Sequence, residues 1–157
     1  HAHYQYTPKL IPATAGMVAS GLYACVLGSR ILGGRALTDG MPLWRYIPNR
    51  ALTLAGNLLL GTKVSEFHTG YRAFSAELLR RLPLADNSDD FVFDNEILAE
   101  TVWLGYTIGE VSCPARYDAD ASSINFRRSV VYGVGCLTTA AAYRLCRWGL
   151  MRSPRFP

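Results

Sequence analysis

Asp89, Asp90, Asp94 and Glu96 crowd around the apolar Phe91-Val92-Phe93, and carboxylates grouped in this way can serve a group transfer. Transfer to a hydroxyl needs a carboxylate beside the acceptor to take its proton, whereas a phosphate acceptor is already anionic and needs none. Asp94, with Asp90 beside it, is the candidate for that base or for an acceptor-positioning group. An Asp opening a helix would also bond free backbone N–H groups and stabilise that end by roughly 1 kcal/mol. The sequence supports both duties.

The cations are nearly all of one kind. Of 16 basic residues, 14 are Arg, with Lys9 and Lys63 the exceptions. The planar guanidinium fork suits bidentate phosphate recognition, which favours phosphorylated ligands. A genome that writes Arg for Lys would give the same count, and composition leaves the two open. His1 and His3 stand two apart, a spacing that on a strand points both rings to one side and lets them grip one ion. Two ordinary surface histidines at a chain start would look alike.

The elements that must position these residues follow from periodicity and punctuation. Half of the 157 residues are hydrophobic, enough for one domain with its own core or for part of one. The opening stretch is expected to end a strand and, through Pro8 in a first turn, to enter a helix over 9–19. LYACVLGSR predicts a buried central strand closed by Gly28 and Ser29, the kind of strand end where α/β sheets place ligands. The glycine-rich 31–42 predicts a loop before a long helix over 43–60. TGYRAF then predicts a short strand, SAELLRRL a short helix, and 87–105 a turn leading to a helix capped near Asp94 and stopped at Gly105. A strand in YTIGEVSCPARYD and an apolar helix over 128–150 complete the chain. The fold class expected is α/β, a mixed sheet flanked by helices, with 1–127 forming the body and 128–157 an amphipathic helix and tail.

Composition also excludes classes. Cys25, Cys113, Cys136 and Cys146 have no CxxC pairing and lie in apolar stretches, which predicts buried free thiols in a reducing compartment and argues against a disulfide scaffold or zinc ribbon. The longest uncharged run of the last helix, 129–143, falls short of the roughly 20 residues of a membrane span. That helix is expected either to pack on the sheet or to lie on a membrane surface with its basic residues toward anionic headgroups. Nucleic-acid binding would rest on the isoelectric point of about 9.0 alone, without a basic run or a zinc motif.

Taken together and in order, HAHYQY, the LGSR strand end, the glycine-rich loop with GMPLWR, HTGYRAF and DDFVFDNEIL resemble family 2 glycosyltransferases related to dolichyl-phosphate mannose synthase, from His1 to about Gly135. Each motif alone is weak; five in the family's order make the resemblance specific. It implies a GT-A (Rossmann-like) fold whose nucleotide-binding N-terminal half precedes the Asp-x-Asp strand, so the chain is expected to begin at that strand and lack that half. His1, His3 and Gln5 stand where the family carries Asp-x-Asp-x-Gln. The resemblance therefore implies a divalent cation, Mg²⁺ or Mn²⁺, at His1 and His3, bridging the donor's phosphates and stabilising the leaving diphosphate. His3 departs from the family's second Asp, and imidazoles suit Zn²⁺, Co²⁺ or Ni²⁺ better. Arg30 and Arg45 match phosphate-contacting positions, and Gln5 belongs to the same donor site. Arg72, with His68, Gly70 and Tyr71, is implied at the cleft floor. Arg116, Ser122 and Ser123 match a region that closes over the site and helps bind phosphate, while Asp90 and Asp94 fall on the acceptor side.

The implied function is a fragment of an inverting glycosyltransferase, inactive or nearly so alone, moving a sugar from a nucleotide-diphosphate donor to a polyprenyl phosphate or other acceptor. Its expected place is the cytoplasm or the inner face of the membrane, as a peripheral protein. A second reading is a non-catalytic membrane-associated or partner-binding module that retains the fold.

Overall fold

The computed structural model describes residues 6–115, 117 and 126–157. A 3₁₀ turn at Pro8–Leu10 leads into helix α1, Ile11–Ala19. Strand β1, Cys25–Ser29, follows and is wholly buried, as its unbroken apolar run predicts. Helix α2 spans Leu43–Leu60 and ends on Gly61, whose φ of 73° is the left-handed conformation that glycine adopts without strain. Strand β2, Arg72–Phe74, helix α3, Ala76–Arg81, and helix α4, Phe93–Trp103, come next. Strand β3, Ile108–Ser112, and helix α5, Phe126–Arg147, complete the order.

The three strands form one mixed sheet in the order β2-β1-β3. β2 runs antiparallel to β1, with Leu27 opposite Arg72, and β3 runs parallel to it, with Ser29 opposite Ser112. The chain is therefore α/β with helices flanking a mixed sheet, as the sequence predicts. Tyr6 makes an antiparallel bridge to Ala115, so the segment entering α1 passes beside the exit of β3.

The core lies between the sheet and the helices α2, α4 and α5, around Leu27, Phe67, Leu78, Leu98, Tyr143 and Phe156. Each large apolar side chain buried there stabilises the fold by roughly 1.5–3 kcal/mol. All four cysteines are buried and free. α5 packs on α4 and α2. A methyl group at Gly133 would meet Leu52 of α2 at 3.5 Å, and Arg144 donates to the Leu58 carbonyl at 2.9 Å.

α4 begins differently from the expectation. Its N-cap is Val92, which contributes no side-chain bond, and Asp94 is the second helical residue rather than the cap. The Phe93 N–H donates to the Asp90 carbonyl and Glu96 N–H to that of Val92, so backbone turns satisfy the helix entry. Asp94 is left with a favourable position in the helix dipole but no capping bond.

Candidate functional site

Segment 65–72, Ser-Glu-Phe-His-Thr-Gly-Tyr-Arg, threads between the exit of β1, the inner face of α2 and the first turns of α4 and α5. Glu66 is fully buried, with no side-chain exposure. It accepts the Arg30 backbone N–H at 2.8 Å, Arg30 Nε at 2.9 Å and Asn49 Nδ2 at 2.9 Å, and forms an ion pair with the second Arg30 nitrogen. That nitrogen also donates to the His68 carbonyl at 3.0 Å. A buried carboxylate of this kind persists only when fully paired, and here Arg30 and Asn49 supply the partners.

Beside it, Ser29 Oγ accepts the backbone N–H groups of Ile31 and Leu32 at 3.2 and 3.0 Å and meets Ser65 Oγ at 2.6 Å. Ser65 in turn donates its N–H and Oγ–H to Glu110 on β3. The exit of the central strand is thus held by side chains from three separate parts of the sequence. Gly28 is required there, since a methyl group on it would stand 2.6 Å from the Tyr71 ring.

Arg72 is the second tie. Its guanidinium donates to the carbonyls of Thr69 at 2.7 Å, Phe67 at 3.0 Å and Asp94, and lies 3.9 Å from the Asp94 carboxylate. The Arg72 side chain is 6% exposed while that of Asp94 is 55% exposed, so the cation is buried behind a carboxylate that faces solvent. His68 Nδ1 meets the Tyr132 hydroxyl of α5 at 2.8 Å, and its Nε2 is buried with no partner among the described residues. Burial pulls the His68 imidazole down to about 4, with the charges of Arg72 and Arg30 adding to that and Glu66 opposing it. The ring is therefore neutral at physiological pH.

Two recesses adjoin at Asp90 and Phe91. One, about 290 Å³, is lined by Asp89, Asp90, Phe91, Phe93 and Asp94. The other, about 410 Å³, is lined by Asp90, Phe91 and Val92 across from Arg127, Arg128, Val131 and Tyr132. The Asp90 carboxylate and the Arg127 and Arg128 guanidinium groups thus line one recess with Phe91, an arrangement suited to a phosphate group beside a proton acceptor.

Asp90 and Asp94 line the first recess, and Arg72 lies buried behind Asp94. Arg30 lies deeper, committed to Glu66, and a ligand phosphate there would share it with that carboxylate. Arg45 is half-buried on α2, its guanidinium 4.7 Å above the Trp44 ring. His1, His3, Gln5, Arg116, Ser122 and Ser123 lie outside the described residues. Among the described residues, no group of three His, Cys, Asp or Glu side chains could hold a metal ion. Tyr6 adds a residue near the expected donor side: its hydroxyl accepts the Gly70 N–H at 3.3 Å and its ring lies 5.7 Å from that of Tyr71.

The chain is similar to a dolichyl-phosphate hexose transferase of Haloferax volcanii, 28% identical over 120 residues, which are 76% of this chain and 50% of that protein. It spans about half the length of that relative. No protein-family model and no solved structure matches the chain.

Sequence reasoning passed over Glu66, Tyr132, Arg127 and Arg128. For Glu66 a signal existed: a lone carboxylate between Val64 and Phe67 must be either a surface break or a buried, paired group. Arg127 and Arg128 were visible only as part of the basic content of the last helix, because nothing local says that α5 starts against the acidic loop.

Proposed function

We propose that this chain is part of an inverting glycosyltransferase that moves a sugar from a nucleotide-diphosphate donor to a lipid-phosphate or other acceptor. The observation that supports it most is the similarity to the Haloferax protein, combined with a recess in which Asp90 stands with Arg127 and Arg128, next to the recess that Asp94 lines. In this reading Arg127 and Arg128 attract the acceptor's phosphate. Asp94, oriented by Arg72, positions the acceptor or takes its proton. The buried Arg30–Glu66 pair holds the strand exit rigid beside the donor's diphosphate, with Arg45, Gln5 and Ser123 as further phosphate contacts. His1 and His3 would hold the divalent cation, Mg²⁺ or Mn²⁺, whose chemistry is to neutralise the leaving diphosphate.

An acceptor in a bilayer requires the protein to meet the bilayer, and α2 and α5 support a peripheral contact. Leu43, Ile47, Leu54 and Leu58 recur at helical spacing along α2 and are 60–69% exposed. Val130, Val134 and Leu137 of α5, and Trp148 just past it, are exposed as well, at 40–64%. Neither helix contains a single Asp or Glu; between them they carry Arg45, Arg50, Arg127, Arg128, Arg144 and Arg147. An apolar face on acid-free, Arg-rich helices complements an anionic lipid surface. No helix among the described residues is long and apolar enough to cross a membrane. The same face favours the second reading, a membrane-associated module without chemistry.

The test is incorporation of labelled sugar from a panel of sugar nucleotides into polyprenyl phosphate and, separately, into hydroxyl-bearing lipid acceptors by the full-length gene product with Mg²⁺ or Mn²⁺. Transfer that falls about 10²-fold in kcat in Asp94→Asn identifies a hydroxyl acceptor with Asp94 as base. A rise in KM with kcat unchanged identifies an anionic acceptor that Asp94 only positions. Absence of transfer and of sugar-nucleotide binding would leave the module reading in its place.

A further inference from the structure

The acidic loop 87–92 that walls the cleft is tied to the rest of the molecule from beneath by two carboxyl groups one turn apart on α4. Glu96 Oε2 accepts the Ser88 N–H at 2.8 Å and the Ser88 hydroxyl at 3.0 Å, while its Oε1 pairs with Arg155. Glu100 Oε2 accepts Asn87 Nδ2 at 3.1 Å. Both glutamates are buried, at 5% and 1% exposure. Arg155 is delivered by the segment that follows α5: Phe156, 3% exposed, is seated against Trp103 and Tyr143, with ring centroids 5.5 and 5.7 Å away.

One feature of this cluster is chemically incomplete when Glu100 is written as a carboxylate. Glu100 Oε1 and Asn87 Oδ1 are both buried without a partner among the described residues, and both are acceptors on a pair already joined through their other atoms. A protonated carboxyl group carries one O–H donor. A single proton on Glu100 Oε1, donated to Asn87 Oδ1, would satisfy both atoms at once and close a cyclic acid–amide pair of two hydrogen bonds.

We infer that Glu96 and Glu100 are positioning residues for the acidic loop: Arg155 braces Glu96 against Ser88, and a proton shared between Glu100 and Asn87 locks the loop's first residue. The inference rests on the reading of that loop as one wall of a transfer site. The surroundings of Glu100 agree with it. Burial above all, opposed by the Asn87 bond and the Arg155 charge and helped by Glu96 on the same helix and Asp86 in the preceding turn, leaves the Glu100 carboxyl raised to about 7. Loss of the proton above that pH leaves a buried anion, removes one of the two Asn87 bonds and frees the loop bearing Asp89 and Asp90. The lock is closed in mild acid and opens as pH rises through neutrality.

The experiment is nuclear magnetic resonance on the 157-residue chain, following the Asn87 side-chain amide and the exchange protection of the backbone amides of 88–91 between pH 5.5 and 8.5. The expected result is an Asn87 signal that titrates with a midpoint near pH 7, and protection, corrected for intrinsic exchange, that falls about tenfold or more above it. Glu100→Gln, which supplies a permanent N–H donor in the proton's place, should stay protected with no titration. Arg155→Ala should lower protection of Ser88 at every pH and raise the Glu100 midpoint, and Arg155→Lys should restore part of both. An Asn87 signal that does not titrate, a Glu100→Gln chain that titrates like wild type, or Arg155→Ala with unchanged loop protection would each overturn the inference. These readouts need no substrate. A loop that titrates in a protein that transfers no sugar would sink the transferase reading and leave the lock standing.

Discussion

At the scale of single residues, the buried Arg30–Glu66 pair decides how much freedom the strand exit has. Removing one member of a buried ion pair leaves the other charge uncompensated, which typically costs about 3–5 kcal/mol. Glu66→Gln is therefore expected to lower the urea-unfolding free energy by about that amount, whereas exposed Asp90→Asn should change it by less than about 0.5 kcal/mol. His68 adds a pH dependence whose direction follows from its depressed value. The folded state disfavours the imidazolium, so the stability His68 contributes is present above its ordinary pKa of 6.5 and is lost as pH falls toward about 4. Wild type should lose up to about 1.4 kcal/mol per pH unit from this group across that window, and His68→Gln should flatten that part of the stability profile in urea titrations. Arg30 was legible as a residue of interest, but its partner stands 36 residues away, and nothing short-range in a sequence couples such a pair.

At the scale of elements, α4 carries most of the site's burden without the signals of a strong helix start. It has no side-chain cap, yet it buries Asn95, Glu96, Glu100 and Thr101 along with Ile97, Leu98 and Ala99. Tertiary packing holds its entry: a methyl group at Gly135 of α5 would run into the Val92 side chain at the α4 N-cap. Gly135→Ala should therefore destabilise the chain by about 1–3 kcal/mol despite the better helix propensity of Ala, measured by thermal or urea unfolding. Gly16→Ala, where the added methyl meets nothing within 4 Å, is the control expected to be neutral or stabilising. α2 was legible end to end at 43–60 even with Pro48 inside it, since its apolar spacing outweighs the one backbone bond that Pro removes.

At the scale of the whole molecule, the α2–α5 face sets what the protein can meet. Sedimentation with phosphatidylglycerol-containing vesicles should pull the chain down, phosphatidylcholine vesicles should do so far less, and salt should weaken the binding. Leu54→Asp combined with Leu58→Asp, both at exposed positions, should reduce the bound fraction at least tenfold without lowering stability. A chain that ignores vesicles and elutes as a dimer whose association the double substitution abolishes would assign the face to a second copy instead.

Hydrophobic period, glycine placement and local charge act over a few residues, and they suffice for the α/β class, the buried central strand ending at Ser29, the span of α2 and the acidic Asp89–Glu96 group. Long-range packing is what pairs Glu66 with Arg30, locks Arg72 onto the first turn of α4, brings Arg127 and Arg128 to the acidic loop and carries Arg155 to Glu96. Each of these joins groups distant in sequence, and such pairings arise from the way the helices cover the sheet and bury charges that must then find partners.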